Sequence, residues 1–228
     1  NKFPLTNGKL GLLPKKIDDM LGNNSERKIK KSNKINGKIL FTRIGTFQDA
    51  NSSYLSAIAQ VYGVKDIELY DAKYLIEKII SDLDPLTFIS LNGGELWRHF
   101  VDIDQSLIPP PYFSKWCKTY PETMDFFLGD NKSITQPREE LDNLVKVFIA
   151  FENFKLYCGD FNVPKQPLYF TDLFSRSWSV DLKSLNITII KITDDQKIVI
   201  ECPNVDDQLL LNKPQNKYCV LLSQDGLY

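Results

Sequence analysis

Leu141, Leu144, Val145, Phe148, Phe151 and Phe154 follow Pro137 at helical spacing, and no other stretch restricts the fold of this chain as strongly. Steps of three and four residues put all of them on one side of a helix. Pro137 suits a first turn, where its missing N–H is not needed, and Gly159 marks a stop. A stripe of this bulk must be covered by other elements, so it is core rather than a cofactor contact. Two more helices are predicted upstream. Tyr54, Leu55, Ile58, Ala59 and Tyr62 define one, with Ser52 or Ser53 at its N-terminus. Leu75, Ile76, Ile79, Ile80 and Leu83 define the other, capped by Asp71 and ended before Asp84 and Pro85. A shorter helix is expected from Tyr169 to Phe174.

The last third of the chain changes period. LNITIIKI and KIVIEC read as a hairpin about Thr193, Asp194, Asp195 and Gln196, and YCVLLS supplies a further strand. A strand-like run from Ile39 to Ile44 precedes Gly45. Helices before strands predict an α+β class, with helices packed on a small, mostly antiparallel sheet. No internal repeat is present.

Charge and cysteine usage narrow the function classes. With 28 Lys and Arg against 29 Asp and Glu, the net charge is −1, so the chain as a whole is not an electrostatic partner of nucleic acid or anionic membrane. Any polyanion contact must be local. Cys117, Cys158, Cys202 and Cys219 lack CxxC spacing, and His99 is the single histidine, so no metal site and no cofactor is implied. Nothing resembles a signal peptide and no apolar run is long enough to span a bilayer, which makes reduced thiols in an intracellular setting the expectation. The chain opens on Asn1 without Met and stops at Tyr228 within a strand-like run, as a fragment of a larger chain would.

Two regions are expected. Residues 1–38 read as a lead-in, with a short apolar pattern at Leu13, Ile17, Met20 and Leu21, followed by a mobile basic loop. Arg27, Lys28, Lys30, Lys31, Lys34 and Lys38 stand in that loop among polar residues. The loop is either a solvated connector or a phosphate-binding arm, two readings that differ in salt dependence. Residues 39–228 read as the folded domain.

Within that domain, QDANSSYLSAIA resembles the nucleophile motif of ovarian-tumour-type cysteine proteases, in which Asp-Gly-Asn-Cys leads into a helix carrying Ala-Ile-Ala or similar. A thiol at a helix N-terminus is activated by the helix dipole, and an imidazole from a distant strand completes the pair. Alignment back from Ala57, Ile58 and Ala59 puts Ser53 at the cysteine position, with Asp49 and Asn51 offset by one extra residue. In that fold the last strand and a turn end in the catalytic His before an aromatic residue. Here YCVLLSQDGLY supplies the strand, the turn and Tyr228, but Leu227 stands at the His position. The resemblance therefore implies a site whose positions Asp49, Asn51, Ser53 and Leu227 are vestigial. Nothing in the order of elements brings His99 to Ser53, which reads as a helix cap.

A second resemblance covers most of the chain. The ordered blocks GKLGLLP, FTRIGTFQDANSSYLSAIAQVYG, DPLTFISLNGGEL, FENFKLYCGDFNVPKQPLYFTDLF, LNITIIKI with IECPN, and CVLLSQDGLY are similar to an internal region of the large early-transcription-factor subunit of nucleocytoplasmic large DNA viruses. Related viral sequences carry a His-Thr-Tyr-Leu-Trp-Asp run where this chain has PLYFTDLF, so Pro167 and Thr171 are departures. The resemblance implies a non-enzymatic module in the viral factory and virion. Its implied partners are the companion subunit, the viral RNA polymerase and, through the basic loop, promoter DNA. A deubiquitinase with an atypical nucleophile and a purely architectural domain are the alternatives. The Asn, Lys and Ile bias fits an AT-rich viral genome.

Overall fold

The computed structural model describes residues 4–21, 28–29, 35–36, 41–49, 51–63, 71–102, 108–129, 139–176, 178–195, 197–201, 217–224 and 227–228. Two compact units emerge, one of Asn1–Leu75, Pro164–Pro167 and Leu185–Tyr228, the other of Ile76–Val163 and Leu168–Ser184. The partition differs from the boundary expected at residue 38. The lead-in belongs to the first unit because its apolar residues, Leu13 and Ile17, pack with Ile190 of a distant strand.

In the first unit, β1 (Leu10–Gly11) pairs antiparallel with β4 (Arg43–Ile44), and α1 (Lys15–Met20) follows β1. β2 (Lys28–Ile29) and β3 (Ile35–Asn36) form a second antiparallel pair. A short ladder thus stands within the segment read as a loop. α2 (Ser53–Tyr62) buries Ser53 through Ala59. α3 (Ala72–Asp82) begins as expected, with Asp71 Oδ1 accepting from the Tyr74 N–H at 2.8 Å, and carries the chain into the second unit.

The first unit's main sheet holds β5 (Leu185–Ile192), β6 (Ile198–Glu201) and β7 (Lys217–Gln224) in the order β6-β5-β7. β5 and β6 form the expected antiparallel hairpin, whose turn is tied by Thr193 N–H to Lys197 O at 3.0 Å. β7, however, runs parallel to β5, from Leu185↔Lys217 to Ile192↔Gln224. The direction follows from the hairpin. β6 heads back towards the end of the sheet where β5 begins, so a strand entering there on β5's other side runs with it. Central β5 is buried along most of its length, as a strand covered on both faces must be. Among the described residues three pairings are antiparallel and the longest is parallel, and the class is α+β.

The second unit is helical: α4 (Pro85–Ser90), α5 (Phe113–Thr119), α6 (Pro121–Leu128), α7 (Glu139–Gly159) and α8 (Thr171–Ser175), with short 3-10 turns over Leu91–Gly94 and Leu96–Phe100 after α4. Asp84 caps α4 by accepting from the Thr87 N–H at 2.9 Å, and Pro85 takes the first helical position. α7 is the stripe-bearing helix, with Glu139, Glu140 and Asp142 complementing the positive end of its dipole. Its stripe is met by aromatic rings: Phe88 lies 5.0 Å from Phe154 and 5.5 Å from Phe151, and Trp116 lies 5.2 Å from Phe148. In place of the single helix expected from Tyr169 to Phe174, a 3-10 turn over Pro167–Tyr169 precedes α8. No described helix is long and apolar enough to cross a membrane.

Candidate functional site

The turn before α2 organises the N-terminus of that helix. The Asp49 carbonyl accepts from Ser52 N–H at 3.3 Å and Ser53 N–H at 2.9 Å, while Asp49 Oδ1 accepts from Asn51 N–H at 2.8 Å. Ser52, not Ser53, is the cap residue, and its side chain makes no capping bond. Ser53 is the first helical residue and only 3% exposed.

The C-terminal residues reach the same region. Leu227 closes a bridge with Gln224, N–H to carbonyl in both directions at 3.0 Å. The backbone oxygen of Tyr228 accepts from Gln48 Nε2 at 2.8 Å and from the Thr46 hydroxyl, and the Tyr228 ring packs edge-on against Tyr54 with centroids 5.3 Å apart. The chain neighbours of Ser53 and Leu227 are thus in contact, and Asp49 and Asn51 sit in the adjoining turn. Burial pushes the Tyr228 phenol above its ordinary pKa.

His99 belongs to the other unit, on an exposed 3-10 turn with its ring 5.5 Å from that of Tyr169. Pro167 opens a 3-10 turn and Thr171, buried, opens α8. Arg27, Lys30, Lys31, Lys34 and Lys38 lie outside the described residues, and of Lys28 only the backbone pairing is described.

Sequence reading missed several residues here. Lys165 is 5% exposed, and its N–H donates to the Asn51 carbonyl at 2.7 Å, two residues from Ser53. Arg43 is 8% exposed; its Nε donates to the Leu12 carbonyl at 2.8 Å, and burial pulls the guanidinium below its usual pKa. Gln60 donates from Nε2 to the Gly45 carbonyl at 3.1 Å. Only Gln60 left a trace in the sequence, as the one amide side chain, three positions after Ala57, on a helix of small and apolar residues.

Beside this region the first unit holds a cavity of about 550 Å³, walled by Leu13, Ile17, Phe41, Ile190 and Leu222, with Arg43, Thr46, Gln48 and Gln60 among its polar lining. Tyr62 and Cys219 both resist ionisation. Burial lifts the Cys219 thiol to about 12, and Tyr62 is raised by burial and then by Cys219. Cys117 is likewise raised by burial. Such thiols behave as small apolar groups, not nucleophiles. Among the described residues no three His, Cys, Asp or Glu side chains are placed to hold a metal ion.

Together these features describe a mixed α+β protein whose candidate site joins a helix N-terminus, a C-terminal turn and an apolar cavity. No family model, curated protein or solved structure matches the chain.

Proposed function

We propose that this chain is a non-catalytic, ovarian-tumour-like module of a viral early transcription factor's large subunit, acting in the viral factory and virion. It works by binding protein, namely the companion subunit or the viral RNA polymerase. The observation that carries the reading is the chemistry at two positions. Where the protease motif has a thiol and an imidazole, this chain has the Ser53 hydroxyl and the Leu227 alkyl group. A serine hydroxyl is scarcely ionised at neutral pH and attacks only when a base takes its proton. Supporting the comparison, the residues beside these two positions touch, through Tyr54 and Tyr228.

A second reading, hydrolysis with Ser53 as nucleophile, draws on Lys165, a buried residue whose backbone N–H donates to the Asn51 carbonyl in the turn that precedes Ser53. That lysine would have to be neutral to serve as base. Incubation with ubiquitin chains and with a ubiquitin-derived electrophilic probe separates the two. No cleavage and no adduct are expected; turnover abolished by Ser53→Ala and by Lys165→Ala would replace the first reading with the second. Deleting the region from the intact viral transcription machinery should release a protein component, and a complement that stays whole contradicts the binding role.

A further inference from the structure

We propose that β6 is a self-association edge: two copies of this chain join β6 to β6, antiparallel, about a two-fold axis at Val199. In the order β6-β5-β7, β6 is an end of the sheet, and among the described residues no strand pairs with its outer side. The middle of the strand is apolar and open, with Val199 41% and Ile200 53% exposed. An end strand of this kind is a template for another strand.

The hairpin register states which backbone groups are available. Thr193 N–H donates to the Lys197 carbonyl at 3.0 Å, which makes these two a hydrogen-bonded pair. Such pairs alternate along an antiparallel ladder, so the next are Lys191 with Val199 and Ile189 with Glu201. Ile198 and Ile200 therefore turn their N–H and C=O groups outward, and an added strand must bond through them.

The residues of this stretch select a second copy as the occupant. Lys197, Ile198, Val199, Ile200 and Glu201 complement themselves when the order is reversed. Pairing about Val199 puts Ile198 opposite the partner's Ile200, matching the two residues with outward backbone groups, and Lys197 opposite the partner's Glu201. Centring on Ile198 instead would set Glu201 against the partner's Asp195, a like charge, and centring on Ile200 would set Glu201 against the partner's Val199. Within one chain Lys197 Nζ already holds Asp195 at 2.5 Å, and Lys191 Nζ holds Glu201 at 2.6 Å. The pairing about Val199 joins these two ion pairs into a row of alternating sign. β7, the other end of the sheet, has Lys217 as its one charged residue and offers no such match. A contact of this length buries less than the ~1,200–2,000 Å² of a standard interface, so the dimer is weak and concentration-dependent.

Sedimentation equilibrium of the full chain, followed from about 10 µM to about 1 mM, should show monomer and dimer in exchange. Ile200→Pro removes an outward N–H and leaves β5 its bonds, so it should weaken the dimer by about tenfold or more. Lys197→Glu and Glu201→Lys should each weaken self-association about threefold or more, and the two variants mixed should associate again, since each then meets the opposite charge. Two facing residues outside the hydrogen-bonded set have Cα atoms about 4.5 Å apart, within disulfide reach. Val199→Cys, oxidised with diamide, should therefore give a covalent dimer that peptide mapping assigns to position 199 in both copies, and Lys197→Cys should not link to itself. A chain that stays monomeric at the highest concentration overturns the proposal. So does a dimer indifferent to Ile200→Pro, or cross-linking as ready through position 197 as through 199. Sedimentation of the unaltered chain and cross-linking at the exposed position 199 keep the test intact if Ile200→Pro does not fold.

Discussion

Gly45 illustrates how a single residue in the first unit is dictated from elsewhere in the chain. A Cβ built on it would stand 2.1 Å from the Thr6 carbonyl oxygen, so only glycine admits this approach, which the Gly45 N–H to Lys9 carbonyl bond at 2.8 Å holds in place. In the sequence Gly45 reads only as the end of a strand. Cys219 carries a testable consequence of its own. Its folded pKa is raised by burial from 9.0 to about 12, so the folded state holds the thiol proton more tightly than the unfolded chain does. The corresponding stability is complete below pH 9 and is lost as pH climbs towards 12. Urea unfolding at pH 8 and pH 11 should differ by about 3 kcal/mol from this group, and Cys219→Ala should shrink that difference. Tyr62, raised in the same direction, leaves part of the alkaline loss in the variant. An identical loss in both proteins would remove Cys219 as its source.

Among elements, the junction after α4 has the most specific chemistry. Asn92 adopts φ 53°, followed by Gly93 and Gly94 with φ 66° and 88°. The Asn92 N–H donates to Asp172 Oδ2 at 2.7 Å and its Nδ2 to the Leu168 carbonyl at 2.9 Å. Asp172 also receives Arg176 through Nε and Nη2 at 3.1 and 2.7 Å, while Arg176 Nη1 reaches Ser90 Oγ at 2.9 Å. The short helix α8 is thereby tied to the end of α4. Asparagine tolerates the left-handed region and a β-branched residue does not. Asn92→Val should therefore cost about 1–3 kcal/mol of unfolding free energy, and Asn92→Gly, which loses only the Leu168 bond, about 0.5–1.5 kcal/mol. The reverse order in chemical denaturation would contradict this account. The pairing of Asn92 with Asp172 is not legible in the sequence, because a contact between residues 80 positions apart has no local signature.

For the chain taken entire, near-zero net charge leaves the segment with Arg27, Lys28, Lys30, Lys31, Lys34 and Lys38 as the one basic run for a polyanion to meet. If it touches DNA, binding should be weak, indifferent to sequence and steeply reduced by salt. Replacing Lys28, Lys30 and Lys31 with Ala should lower the salt slope by about one unit for each phosphate those side chains neutralise; an unchanged slope assigns the segment to a solvated connector. Class and local elements were already written in the residue order: α7, α2 and α3 from helical spacing, the β5–β6 hairpin from alternation, the Asp71 cap. These are legible because period and capping are properties of neighbouring residues. Three further features belong to the folded chain alone: β7 lies parallel to β5, Leu13 and Ile17 join the core at Ile190, and Arg43, Gln48 and Gln60 meet at one cavity. Each depends on which distant segments bury the same apolar surface, and burial is non-directional, so the pattern of a strand or helix states how much it must hide but not against what.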